Sequence, residues 1–72
     1  MTADDAPTKL ERFLRQYHVK PAALARLTGY ARQHLVKIRY GRVTPRRRTK
    51  LNIALACAEL TRKDVTVEEL FD

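Results

Sequence analysis

The sequence predicts an all-α fold, a bundle of five short helices. Apolar residues recur at helical spacing in successive segments, and capping residues, prolines and glycines punctuate them at helix-length intervals. No stretch alternates apolar and polar residues for long enough to make a strand. At 72 residues the chain is one domain, and a domain of this size buries only about 60% of the surface its unfolded chain exposes. Stability is therefore modest, and pairing with a second copy would add to it.

The elements follow in order. Residues 1–7 are expected to form a flexible tail and residues 8–72 the folded domain. In "PTKLERFLRQYHV", Thr8 and Glu11 have capping-box spacing. Leu10, Phe13, Leu14 and Tyr17 then fall at i, i+3, i+4 and i+7, one apolar stripe of a first helix that ends near His18. Pro21 is placed to open a second helix, where a missing N–H costs nothing. That helix runs to about Leu27 and stops at Gly29, which tolerates a left-handed turn. A third spans about Ala31 to Tyr40 and ends at Gly41. Thr44 and Pro45 predict the start of a fourth, running to about Leu60. Thr66 and Glu69 repeat the capping box before a short fifth helix, with Val65 and Leu70 spaced as a hydrophobic staple.

Composition removes most function classes. The longest uncharged apolar run, "NIALACA" from Asn52 to Ala58, is far shorter than the ~20 residues that cross a bilayer. "MTADDAP" is acidic and polar, unlike a secretory signal, so a cytoplasmic location is expected. The single cysteine, Cys57, has only His18 and His34 beside it as further soft ligands; neither a disulfide nor a metal cluster is expected, and no cofactor. Acid and base chemistry wants paired titratable groups. Two histidines sixteen positions apart in an acid-free block, and a cysteine in the middle of an apolar stripe, do not suggest an enzyme or a small-molecule substrate.

The net charge is +7, and its distribution says more than its size. From Arg12 to Ala58 there are twelve Lys or Arg and no Asp or Glu, whereas residues 1–11 sum to −2 and residues 59–72 to −3. Crowded like charges repel, so an external polyanion is implied. Nucleic acid is the first candidate and an anionic membrane the second; a merely solvated face is the plain alternative.

Helical phase sharpens this expectation. In the third predicted helix Ala31, Leu35 and Ile38 share one narrow arc, which must face the core, while Gln33, Val36, Lys37 and Tyr40 lie opposite. Arg32 and His34 flank that outer face. Donors, one amide, a small apolar group and no acid suit the floor of a DNA major groove, where Arg grips guanine, Gln grips adenine and an aliphatic group meets the thymine methyl.

Ala25, Gly29, Leu35 and Ile38 occupy the places where a helix-turn-helix needs a small residue at the crossing, a left-handed turn and two buried aliphatics. With "LARLTG", "ARQHLVKI", the "YG" that follows, "TP" and "VEELF", the chain from about Leu10 to Phe71 resembles the lambda-repressor and Cro class of DNA-binding domains, the xenobiotic-response-element family. The resemblance implies a five-helix lambda-repressor-like bundle and a transcriptional regulator of double-stranded DNA, with repression by occupancy the expected mode, an inverted-repeat operator as target and a place on the nucleoid. It implies base reading by Arg32, Gln33 and Lys37, with Val36 added from phase. Phosphate contacts are expected from Arg42, Arg46, Arg47 and Arg48, and from Lys20, His34, Arg39 and Tyr40 around them. Departures are Lys20 and Ala31 where side-chain caps are common, Thr28 and Arg47 where aliphatics are common, and about four extra residues before "TVEEL". Those residues leave open a longer fourth helix or a wider loop.

The fourth predicted helix has two apolar faces, Leu51, Ala54, Leu55 and Ala58 on one and Ile53, Cys57 and Leu60 nearly opposite. Either the first and fifth helices of the same chain cover the second face, or Ile53, Cys57 and Leu60, with Leu70 and Phe71, form a dimer surface. Two recognition helices about 34 Å apart would read half-sites one DNA turn apart. Rival readings are a helical protein-interaction module, such as an antitoxin, with secondary DNA binding, and an RNA contact through the same basic face.

Overall fold

The computed structural model describes residues 6–71, so most of the expected tail lies outside the described residues. Among them the regular structure is entirely helical: α1 (Lys9–Gln16), α2 (Pro21–Thr28), α3 (Arg32–Arg39), α4 (Arg47–Thr61) and α5 (Val67–Leu70). α2 packs on both α3 and α4, while α5 packs on α1 and α4. None of the helices is long and apolar enough to cross a membrane.

Local signals account for most boundaries. Thr8 caps α1, its hydroxyl accepting the Glu11 N–H at 3.0 Å, and donating to the Arg39 carbonyl at 2.5 Å. The Glu11 carboxylate goes to Arg15 and Arg39, so half of the predicted box is put to tertiary use. Pro21 opens α2 and Gly29 closes it at φ 79°. Lys20 and Ala31 stand at the starts of α2 and α3 with no side-chain cap. The full box forms at α5 between Thr66 and Glu69.

One boundary differs from expectation. α4 begins after Arg46, which is extended at ψ 164°, not at Thr44 and Pro45. Those two line a groove with Ile38, Leu70 and Phe71 ahead of the helix. α4 then runs on to Thr61 and stops at Arg62 in the left-handed region, φ 57°, without a glycine. His18 ends α1 in the same way at φ 55°, which lets the Val19 N–H reach back to the Leu14 carbonyl at 2.9 Å.

The core draws on every helix: Leu10, Phe13 and Leu14 from α1, Leu24 from α2, Leu35 and Ile38 from α3, Ile53, Ala54, Ala56 and Cys57 from α4, and Leu70 from α5. Burying each large aliphatic side chain contributes about 1.5–3 kcal/mol. This corrects the alternative of a dimer surface on the second face of α4: Ile53, Cys57 and Leu70 are inside the chain's own core. Leu60 stays at the surface, and Phe71 packs partly against the core with the Lys50 ammonium 5.7 Å from its ring centroid.

Candidate functional site

The outward face of α3 is built by what its inward face does. Leu35 and Ile38 are almost wholly buried, and at helical pitch this turns Arg32, Gln33, Val36 and Lys37 outward. All four are exposed, and with Arg42 they line one shallow depression. Arg42 is held there by its backbone N–H, which donates to the Lys37 carbonyl at 2.8 Å just past the end of α3.

The turn between α2 and α3 sets the angle of that face, and several bonds hold it. The Thr28 hydroxyl donates to the Leu24 carbonyl at 2.8 Å and accepts the Tyr30 N–H at 3.3 Å; an aliphatic residue here would do neither. Asn52 of α4 donates to the Tyr30 hydroxyl at 2.8 Å. Tyr30 in turn meets the His34 ring edge-on at 5.8 Å. His34 is exposed on the rim, and Tyr30 is a bracket between α3 and α4.

The other end of α3 is fixed by charge. Arg39 forks onto Glu11, Nε to Oε1 at 2.7 Å and Nη2 to Oε2 at 3.1 Å, and Arg15 adds a bond from Nε to Oε2 at 2.9 Å. The Glu11 side chain is 4% exposed and that of Arg39 14%. Burial alone would raise the Glu11 pKa, but the bonds and charges of Arg39 and Arg15 outweigh it and hold the carboxyl below its ordinary range. The expected phosphate contact at Arg39 is therefore corrected: its guanidinium belongs to the fold. Tyr40, partly exposed, lies with its ring centroid 5.3 Å from that guanidinium. The sequence reading missed this pair because it assigned Glu11 to capping alone. The available signal was a single acid beside the apolar stripe of the first helix, at the border of a long cationic block.

The remaining cations stand on other elements. Lys20 is exposed at the start of α2, and Arg46, Arg47 and Arg48 are exposed at the start of α4. The first turn of α4 has no acid and no side-chain cap, so three arginines meet the positive end of a helix dipole. That local arrangement is unfavourable without an anion. Arg47 differs from its neighbours, since it lines a groove between α4 and α5 with Leu51, Leu55, Val65, Val67 and Glu68.

Cys57 is wholly buried, and burial pushes its thiol up to about 12. Such a thiol is a packing group and a poor nucleophile at neutral pH. Among the described residues no group of three or more His, Cys, Asp or Glu is placed to hold a metal ion. Comparison with protein-family models, curated proteins and solved structures finds no match to this chain, so the functional reading rests on the geometry above.

Proposed function

We propose that this chain binds double-stranded DNA sequence-specifically and acts as a transcriptional regulator on the nucleoid, as a lambda-repressor-like helix-turn-helix domain with α3 in the major groove. The observation that carries the reading is the face of α3: Arg32, Gln33, Val36 and Lys37 turned outward together, without an acid, from a helix anchored by Leu35 and Ile38. α2, a glycine turn at φ 79° and α3 follow one another at the spacing this role requires. Arg32 and Gln33 read purine edges, Val36 meets a thymine methyl, and Lys37 reaches a base or the adjoining phosphate. Lys20, Arg42, Arg46 and Arg48 hold phosphates, and His34 and Tyr40 touch the backbone at the rim.

The division of labour is testable. Arg32→Ala costs about 1–3 kcal/mol at one base position, whereas Arg48→Ala weakens all sequences alike and lowers the salt slope by about one. Titration of both variants against a panel of duplexes at several salt concentrations reads the two effects separately. An Arg32 variant with unchanged sequence preference refutes the assignment. A protein-interaction module would instead show weak, salt-insensitive DNA binding. Because the A-form major groove is too narrow for a helix, duplex DNA should outcompete RNA, and an RNA-binding domain would show the reverse preference.

A further inference from the structure

Helix α4 carries Arg47, Leu51, Leu55 and Glu59 at successive four-residue steps, all exposed. Leu55 is 68% exposed, more than any other large hydrophobic side chain among the described residues, and Leu51 is 46% exposed. Grooves run along both sides of this row. One, between α4 and α5, is lined by Ala54, Val65 and Val67; the other, toward the end of α2, by Leu27, Thr28 and Ala56. Isolated surface leucines need no explanation, but a ridge of two flanked by grooves, the one toward α5 apolar and the one toward α2 more polar, is the form of a helix-packing surface.

The order of charges along the ridge identifies what covers it. It reads cation, leucine, leucine, anion, and among the described residues neither Arg47 nor Glu59 has an ion-pair partner within the chain. Laid antiparallel on a copy of itself about the midpoint between Leu51 and Leu55, the ridge sets Leu51 against the partner's Leu55 and Arg47 against the partner's Glu59. Laid parallel, it would set Arg47 on Arg47. Rows at four-residue spacing interlock with one another at a crossing of about −50°, the commonest packing of two helices. A two-fold axis makes both halves of such a contact equal.

We infer that a second copy of this chain docks on α4, through an antiparallel Arg47-Leu51-Leu55-Glu59 ridge with Leu51 and Leu55 flanking the two-fold axis. The interface lies on the opposite side of α4 from Ile53 and Cys57, and it assigns Arg47 to the partner subunit instead of to phosphate. The inference does not depend on nucleic acid, so its test omits it.

Sedimentation of the purified chain, followed up to about 1 mM, should show a reversible monomer–dimer equilibrium. Leu55→Glu, at an exposed site, should keep the helical circular dichroism and weaken association by about tenfold or more. Arg47→Glu and Glu59→Arg should each weaken it, and the R47E/E59R double variant should restore it to within about threefold of the original. A monomer at every concentration overturns the proposal and leaves the ridge to a different partner. Undiminished association of the Leu55 variant overturns it as well. If Leu55→Glu fails to fold, the charge exchange decides alone: a double variant no better than the singles refutes the antiparallel pairing.

Discussion

Replacing Arg39 with methionine isolates the charge that holds α3 to α1, because methionine keeps most of the apolar stem and loses the guanidinium. Two charge-assisted bonds to Glu11, at 2.7 and 3.1 Å, disappear, each contributing about 1.5–3 kcal/mol. Glu11 stays behind, 4% exposed, and removing one partner of a buried pair costs about 3–5 kcal/mol. Arg15 remains at 2.9 Å, but its side chain is 41% exposed, so it returns only the surface value of about 0.5–1 kcal/mol. The balance is a loss of about 3 kcal/mol. A chain of 72 residues holds roughly 4–11 kcal/mol in total, and each kcal/mol moves the Tm of so small a domain by about 4–8 °C. Thermal unfolding followed by circular dichroism should therefore show Tm lowered by roughly 12–24 °C. Glu11→Leu combined with Arg39→Met should recover most of that loss, since an apolar pair leaves no uncompensated charge. A loss below about 0.5 kcal/mol, the range of ordinary surface substitutions, refutes the assignment of Arg39 to the fold.

Further outcomes follow from the same structure. Lowering pH should destabilise the wild type through Glu11, whose folded pKa lies below its unfolded value near 4.5: the contribution is complete above that value and is lost as pH falls through the folded one. Denaturant melts from pH 7 downward should accordingly steepen in that window for the wild type and flatten for Glu11→Gln; equal profiles would contradict the pair. Gly29→Ala meets no atom within 4 Å and bears only the backbone cost of φ +79°, about 1–2 kcal/mol. Gly41→Ala adds a 3.3 Å approach to the Thr8 methyl and should cost more; a reversed order in urea melts would count against this geometry. Cys57, buried and pushed up to about 12, should resist a thiol reagent in the native protein and react fully in denaturant. Rapid native labelling would contradict its place in the core.

What could be read from the sequence was what neighbouring residues determine. Thr8, Pro21, Gly29, Gly41 and the Thr66–Glu69 box act within a turn of themselves, and the helices start and stop there as expected. The outward set of α3 was readable because two aliphatics, Leu35 and Ile38, define its inner side by spacing alone. The stops near His18 and Leu60 were expected, but the left-handed backbone of His18 and Arg62 was not, since neither is a glycine. The start of α4 lies two residues beyond Pro45, with Arg46 and not Thr44 as the residue before the helix. Arg39 was out of reach for a different reason: its partner lies 28 positions earlier, and phase gives only a direction. On α4 two leucine-bearing faces have equal helical spacing, and the inner one is chosen by where the other helices pack. The exposed ridge is consequently Leu51 and Leu55, and the core face is Ile53 and Cys57.

The central claim is that the acid-free side of α3 lies against base pairs. Backbone amide shifts, followed by NMR while a selected duplex is added at low salt, test it most directly. The account predicts the largest changes from Arg32 to Lys37 and at Arg42, with Leu35 and Ile38 still packed in the core. Changes confined to the Leu51 and Leu55 side of α4, or none at all, would contradict it.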